Sequence, residues 1–257
     1  MATLQAIAAR LDEVLRIRDI ADYPTAVNGI QVENHGDIRS VAVAVDCSQR
    51  TIDAAIAAGA KLLIVHHGLF WGGVQPVRGP LYERLHRLLA SDVAVYAAHL
   101  PLDAHPELGN NVLLAAALGL VPNGGFARFQ GTEIGVRGEC MLPTSEVAAR
   151  ADALAKRHGG RALATAFEPS RTTRRWGICS GGGASAETLR EAVSLGLDTL
   201  IVGEGPHWTA VDAPELGLAI IYAGHYATET LGVQALGQLV EREFALPWRF
   251  IEAPTGL

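Results

Sequence analysis

Cysteine is scarce in this 257-residue chain, and its three cysteines lie far apart in the sequence, at Cys47, Cys140 and Cys179. Their odd number and irregular spacing argue against a disulfide framework and against a zinc ribbon. We expect all three to be small core residues of a protein kept in a reducing cytoplasm.

Long apolar runs and basic clusters are also missing. No stretch of about 18 apolar residues occurs, so we expect no membrane span. The formal net charge is −6, and the basic run of Arg171, Arg174 and Arg175 is short. Nucleic-acid binding needs a clustered basic face, so we expect no nucleic-acid partner. The first 17 residues have acidic side chains and helical apolar spacing, which indicate an amphipathic helix and not a signal peptide.

Helical segments alternate with continuous apolar runs along the chain. The runs predicted as strands are 40–48, 61–65, 93–98, 176–180, 198–202 and 218–223. Apolar strands separated by helices predict an α/β fold with mainly parallel sheets flanked by helices. We expect a loop at 99–103, irregular structure at 122–137 and one long terminal helix at about 227–243.

Two pairs of matched strings indicate an internal duplication. TIDAAIAAGAKLLIVHHG begins at Thr51, and TLREAVSLGLDTLIVGEG begins at Thr188. Further along, YAAHLPLD begins at Tyr96 and YAGHYATE at Tyr222. Repeated strings of this kind predict two copies of one structural unit. We therefore expect two similar lobes, 1–125 and 126–257, with the terminal helix packing across onto the first.

Imidazole and carboxylate side chains follow the predicted strands, where α/β proteins form their sites. These residues are His66, His67, His99, Asp103, Glu204, His225 and Glu229. A single histidine at a strand end is more often a surface or hydrogen-bonded residue than a ligand. Two H-x-x-x-[DE] pairs at equivalent strand ends are hard to explain by packing, so we expect a metal centre shared by the copies.

The residue types narrow the chemistry of such a centre. Imidazole and carboxylate ligands without thiolate suit Zn, Fe or Mn, and Mg is also compatible. The candidates outnumber the ligands of one open catalytic site, whereas two divalent ions bridged by a carboxylate would use them all. Two interpretations are possible for Gly181-Gly182-Gly183: a loop that binds phosphate, or a tight turn between a strand and a helix. We favour the turn, because the complete glycine spacing of a phosphate-binding motif is missing.

At these residues the chain resembles the Nif-three-like family, whose members are also called homologues of the type 2 form of GTP cyclohydrolase I. The matching segments are NGIQVE at 28–33, IVHHGLFWGG at 64–73, VYAAHLPLDAHPELGNN at 95–111, VGEGPHW at 202–208 and AGHYATE at 223–229. Val202 and Leu100-Pro101 depart from residues common in the family, and the chain lacks the long central insert of some members.

The resemblance carries several expectations. It implies that the ligands of a dinuclear metal centre are His66, His67, Asp103, His225 and Glu229. It also implies a ring-shaped homohexamer. His99, Glu204 and His207 are then candidates for orienting the ligands or transferring protons, and Asn111 for fixing the loop that carries Asp103.

The sequence thus predicts a cytoplasmic, metal-dependent hydrolase that acts on a small molecule, by GTP cyclohydrolase-type chemistry or by hydrolysis of a phosphoester or nucleotide. The alternative is a non-catalytic metal-binding scaffold or interaction protein, because ligands alone do not show an open coordination position.

Overall fold

The computed structural model describes residues 2–257, which contain thirteen strands and ten helices. The strands are β1 (Ala2–Thr3), β2 (Gly29–Val32), β3 (Asp37–Ile38), β4 (Val41–Asp46), β5 (Leu62–His67), β6 (Ala94–Ala97), β7 (Pro122–Phe129), β8 (Thr132–Pro143), β9 (Leu163–Ala164), β10 (Thr172–Cys179), β11 (Thr199–Val202), β12 (Ala219–Tyr222) and β13 (Trp248–Phe250). The helices are α1 (Leu4–Leu15), α2 (Gln49–Ala57), α3 (Pro80–Ala90), α4 (Leu100–Asp103), α5 (Asn110–Ala117), α6 (Thr144–Arg157), α7 (Ala186–Ser194), α8 (His207–Glu215), α9 (His225–Thr228) and α10 (Thr230–Phe244).

Backbone contacts divide these residues into two compact units. The first comprises residues 2–102 and 232–253, and the second comprises 103–231 and 254–257. This division differs from the expected lobes 1–125 and 126–257. Helix α5 belongs to the second unit because it packs on β8 and β10, and β13 belongs to the first because it pairs with β4.

The first unit contains a five-stranded sheet in the order β13-β4-β5-β6-β2. Strands β13, β4, β5 and β6 are parallel, and β2 pairs with β6 in the antiparallel sense. All four apolar residues of β5, Leu62 to Val65, are fully buried. A strand covered on both faces has no solvent side, which explains the continuous apolar run in the sequence.

The second unit contains a six-stranded sheet in the order β7-β8-β10-β11-β12-β9. Its centre, β10-β11-β12, is parallel, and the remaining pairs are antiparallel. Successive residues of β11 enter different core clusters: Ile201 packs in one, whereas Leu200 and Val202 pack in the other. The period of two places an apolar layer on each side of this sheet.

The predicted duplication and fold class are confirmed. The order β4-α2-β5-α3-β6 in the first unit recurs as β10-α7-β11-α8-β12 in the second. Helices α2 and α7 both have nine residues and begin after a serine N-cap, Ser48 or Ser185, whose hydroxyl accepts a hydrogen bond from the amide of the threonine three residues on. Antiparallel strands at the edges extend both parallel cores, most of all in the second sheet.

The prediction of irregular structure at 122–137 is wrong, because β7 and β8 form an antiparallel hairpin there. The glycines that obscured the strand pattern allow close packing. A Cβ atom at Gly135 would overlap the carbonyl oxygen of Ile178, and one at Gly138 would overlap the ring of Trp176. Glycine inside a strand often marks such an approach and does not always end the strand.

Other local predictions also need correction. The expected loop at 99–103 contains the four-residue helix α4, and the expected single terminal helix is two helices, α9 and α10. Glu229 is therefore the C-cap of α9 and does not lie in the first turn of a long helix. Strands β2 and β13 and helix α8 were not predicted. Within residues 2–257, no helix has the length and apolar character needed to cross a bilayer.

The serine N-caps yield a test of how the repeated unit is stabilised. Replacing Ser185 with alanine removes the acceptor for the Thr188 amide at 3.1 Å, so the free energy of unfolding should fall by about 1 kcal/mol. Ser194→Ala, an exposed position in the last turn of the same helix, should change it by less than about 0.5 kcal/mol. Urea denaturation followed by circular dichroism measures both, and equal losses would contradict the capping role.

Candidate metal centre

Three histidines meet at the carboxyl ends of neighbouring parallel strands in the first unit. His66 and His67 are the last two residues of β5, and His99 lies two residues beyond β6. One ring nitrogen from each histidine lies within 4.8 Å of the others. Three imidazoles at this separation are suitable ligands for a divalent transition metal.

Each of these histidines has its Nδ1 atom against an oxygen that accepts hydrogen bonds. Nδ1 of His66 is 2.9 Å from the carbonyl oxygen of Ala98, and Nδ1 of His67 is 2.8 Å from Oδ1 of Asp46. Nδ1 of His99 is 2.9 Å from Oδ1 of Asp22. A carbonyl or carboxylate oxygen can only accept, so Nδ1 carries the proton and Nε2 of the neutral ring has the lone pair. Metal-binding histidines are oriented in this way.

Asp22 is the centre of a small network that fixes His99. Its Oδ2 accepts hydrogen bonds from the side chain of Asn28 at 2.8 Å and from the amide of Leu100 at 2.9 Å. The amide of His99 donates to Oδ1 of Asn28 at 2.8 Å. Burial would raise the pKa of Asp22, but the hydrogen bonds that its carboxylate accepts from His99 and Asn28 outweigh burial and lower the pKa. The carboxyl group therefore stays ionised and continues to accept from His99.

Aromatic rings border the three histidines. Trp71 lies nearly perpendicular to both His99 and His67, with ring centroids 4.7 Å and 5.8 Å away. Tyr23 is 6.1 Å from His99 and 6.3 Å from Trp71. Apolar rings around a polar cluster lower the local dielectric constant and strengthen its electrostatic interactions.

In the second unit, His225 lies between two carboxylates. It begins α9, and its Nε2 atom is 3.2 Å from Oε2 of the buried Glu229. Its Nδ1 atom is 2.9 Å from Oε1 of Glu204, which lies just after β11. Burial would lower the pKa of His225, but the hydrogen bond and charge of Glu229, joined by Glu204, raise the pKa to about 9. Without a metal ion, this imidazole holds a proton at neutral pH.

Asp103 is a second buried carboxylate of this unit. Its Oδ1 atom accepts hydrogen bonds from Asn110 at 2.8 Å and from the hydroxyl of Ser180 at 3.3 Å. Burial raises the pKa of the Cys179 thiol, and the negative charges of Asp103 and Glu229 raise it further. Both carboxylates therefore lie near Cys179, and the unit collects negative charge of the kind that attracts a cation.

The glycine run after β10 makes room for Glu229. Gly181 has a φ of +58°, and a Cβ atom there would overlap the carboxylate of Glu229. The Gly181 amide donates to the hydroxyl of Thr228 at 3.0 Å, which holds the run against α9. The glycine run lies between β10 and α7, so it belongs to the strand-to-helix turn that the sequence favoured. Gly181 also borders Glu229 of the candidate site.

The structure thus assembles two sets of the predicted residues. The first unit brings together His66, His67 and His99, and the second brings together His225, Glu229 and Glu204. Asn111 donates to the backbone carbonyl oxygens of Ile134 at 2.7 Å and of Asp103 at 3.5 Å, and it accepts from the Ser180 amide at 2.7 Å, whereas the side chain that contacts the Asp103 carboxylate is Asn110. His207 is exposed at the start of α8.

Sequence reasoning missed four supporting residues: Asp22, Asp46, Asn110 and Ser180. Asp46 is the last residue of β4, so the strand-end rule that selected the other candidates could have found it. Asp22 lies far from any predicted strand, and no spacing signal pointed to it.

Comparison with known proteins identifies relatives of this chain. The family model described as Duf34/NIF3 (NGG1p interacting factor 3) matches residues 2–255. The chain is 44% identical to a "GTP cyclohydrolase 1 type 2 homolog" of Deinococcus radiodurans, over 96% of this chain and 92% of that protein. It is 38% identical to the protein of the same name in Escherichia coli, with 95% of both chains covered.

A solved structure agrees with the fold. The structure described as protein ybgI, of unknown function, is 36% identical to this chain, with a TM-score of 0.89 over 99% of this chain and 100% of the other. The match of the family model over nearly the whole chain, together with these relatives, shows that the protein belongs to the Duf34/NIF3 family.

Proposed function

We propose that this protein is a cytoplasmic, metal-dependent hydrolase with two divalent metal ions per chain. The observation that carries the proposal is the orientation of the histidines, since His66, His67, His99 and His225 all have Nδ1 against an oxygen acceptor. In the first three, this arrangement places the lone pair of the neutral ring on Nε2, the nitrogen that would bind a metal ion. Hydrogen bonds made only for packing need not select the same nitrogen each time.

The ligand set has the composition of a dinuclear centre. We propose His66, His67, Asp103, His225 and Glu229 as ligands, with the buried Glu229 as the bridging carboxylate. His99 has the same orientation as the other two histidines of its unit, and we add it to the candidate ligands. The duplication supports a shared centre, because equivalent strand ends of both copies carry histidine and carboxylate residues. Zn, Fe and Mn suit these donors.

The chemistry follows from the charges of the site. When bound, divalent ions lower the pKa of water toward neutrality and polarise the substrate. His225 must lose its proton before Nε2 can bind a metal ion, and its raised pKa means that metal binding at neutral pH releases this proton. Glu204 is about half exposed, so it can pass a proton between His225 and solvent as well as orient the imidazole.

The relatives' shared name makes GTP the first substrate to test, followed by other nucleotides and phosphoesters. Hydrolysis should stop after chelation and return when metal is restored. Glu204→Gln should lower turnover by about 10- to 100-fold, since it alters a group that orients a ligand. Glu215→Gln, an exposed position at the end of α8, should stay within about twofold of the unmodified protein. Full metal occupancy without turnover on a broad metabolite panel would favour the non-catalytic scaffold.

Metal content tests the shared dinuclear centre directly. Reconstituted protein should contain about two metal ions per chain, and both His66→Ala and His225→Ala should lower that number, because each residue is a proposed ligand. His86→Ala serves as the control, since His86 is exposed and stacks on Tyr82. Elemental analysis of folded variants measures the effect. A ceiling of one ion, or full occupancy in His225→Ala, would refute the shared centre.

The family resemblance also leads us to propose a homohexamer. Light scattering at micromolar protein concentration should return six times the chain mass of 27.2 kDa. A monomer at that concentration would contradict this assembly and would leave the metal proposal to be judged on its own measurements.

A further inference from the structure

Arg84 is a partly buried cation of the first unit that lacks a carboxylate partner. The other partly buried lysine and arginine side chains of this unit are Arg10 and Lys61. Arg10 pairs with Glu243 at 2.7 Å, and Lys61 lies 3.7 Å from Asp92. Among the residues that the structure describes, Arg84 forms no ion pair, so it is the exception of the three.

The contacts of the Arg84 guanidinium are with neutral oxygens. Nη1 donates to the carbonyl oxygen of Cys47 at 3.1 Å, and Nε donates to that of Pro80 at 3.3 Å. A cation that is partly removed from water loses hydration, and an anion normally offsets this loss. The guanidinium has five N–H donors, and two of them are used here, so the others can serve a further acceptor.

The contact with Cys47 places this guanidinium at the strand end that carries candidate metal ligands. Cys47 follows Asp46, the last residue of β4, and the Asp46 carboxylate lies 2.8 Å from Nδ1 of His67. The Cys47 amide donates to the carbonyl oxygen of His67 at 2.8 Å. Arg84 and His67 therefore contact the same short segment at the carboxyl edge of the first sheet, where α/β proteins bind their ligands.

A tether between α3 and β4 would not require the charge of Arg84. A neutral side chain with an N–H group can also donate to a backbone carbonyl oxygen. Arg87, three residues further along α3, has an ordinary surface contact instead, an ion pair with Asp53 of α2 at 3.0 Å. The uncompensated charge next to the Asp46–His67 pair is therefore the feature that points to an anionic ligand.

We propose that Arg84 binds a phosphate or phosphoryl group of the substrate beside the candidate metal centre. The planar guanidinium can donate to two oxygens of such a group at once, which makes arginine well suited to it. The chain has a net charge of −6, so an anionic substrate needs a local positive charge. This inference rests on the proposed hydrolase function only for the statement that the anion is part of a substrate.

Inorganic phosphate tests the site without an enzymatic assay. It is titrated into protein with ¹⁵N-labelled arginine, in metal-loaded and metal-free form, with sodium chloride at matched ionic strength as the reference. The Nε–H signal of Arg84, identified by its loss in Arg84→Lys, should shift saturably with phosphate in both forms. The signal of Arg87 should not shift, because its guanidinium already has a carboxylate partner.

Matched variants separate the charge of Arg84 from its tethering contacts. Arg84→Gln keeps a donor for the Cys47 carbonyl oxygen and removes the charge, so it should weaken phosphate and GTP binding about tenfold or more. Arg84→Lys keeps the charge and should weaken both less. Arg87→Gln, the same change one turn along α3, should leave both affinities within about twofold. Calorimetry measures the affinities, and circular dichroism checks that each variant is folded.

Several results would overturn the inference. Absence of a saturable Arg84 shift, or equal losses in Arg84→Gln and Arg87→Gln, would show that Arg84 only tethers α3. A loss limited to inorganic phosphate, with GTP binding unchanged, would assign the site to free phosphate and not to a substrate.

Failure of the proposed function gives a different result. Phosphate binding at Arg84 without hydrolysis of any compound on the metabolite panel would refute the hydrolase proposal and leave an anion site. Metal-dependent hydrolysis with unchanged phosphate affinity in Arg84→Gln would refute the role of Arg84 and leave the hydrolase proposal intact.

Discussion

The hydrogen bond from histidine Nδ1 to an oxygen acceptor is the interaction on which the candidate centre depends. It fixes the ring orientation and the tautomer together, so one contact decides where the Nε2 lone pair points. Two kinds of acceptor serve this purpose: a backbone carbonyl oxygen, that of Ala98, for His66, and side-chain carboxylates for His67, His99 and His225. The acceptors come from strand ends and from a loop, so the fold must bring them to the rings.

The two copies use the same framework but carry different side chains at its strand ends. In the first copy, His67 is the last residue of β5, and Asp46 of the neighbouring strand supports it. In the aligned position of the second copy stands Glu204, which itself supports His225. The strand ends are equivalent, yet one copy presents three imidazoles and the other presents carboxylates around a single imidazole. A duplicated fold can therefore present two different sets of candidate ligands.

Close packing at glycine residues shapes the candidate site of the second unit. Gly181 leaves the space that the Glu229 carboxylate occupies, and a Cβ atom at Gly203 would overlap the carbonyl oxygen of Gly181. These glycines let the turns after β10 and β11 approach each other next to α9. The buried carboxylate can then lie 3.2 Å from His225, which raises the pKa of that imidazole.

The sequence by itself determined the α/β class, the duplication and the candidate residues at strand ends, because apolar runs, repeated strings and polar strand termini are local signals. Serine N-caps before α2 and α7 are local in the same sense. Tertiary structure alone decided the partners of those candidates. Asp22 reaches His99 across 77 positions, and Asn110 and Asn111 divide the contacts to Asp103, the first donating to its carboxylate and the second to its backbone carbonyl oxygen. The β7–β8 hairpin was likewise hidden, because its glycines are explained only by the strand and ring they pack against. Such contacts depend on distances between segments remote in the chain, which no local pattern records.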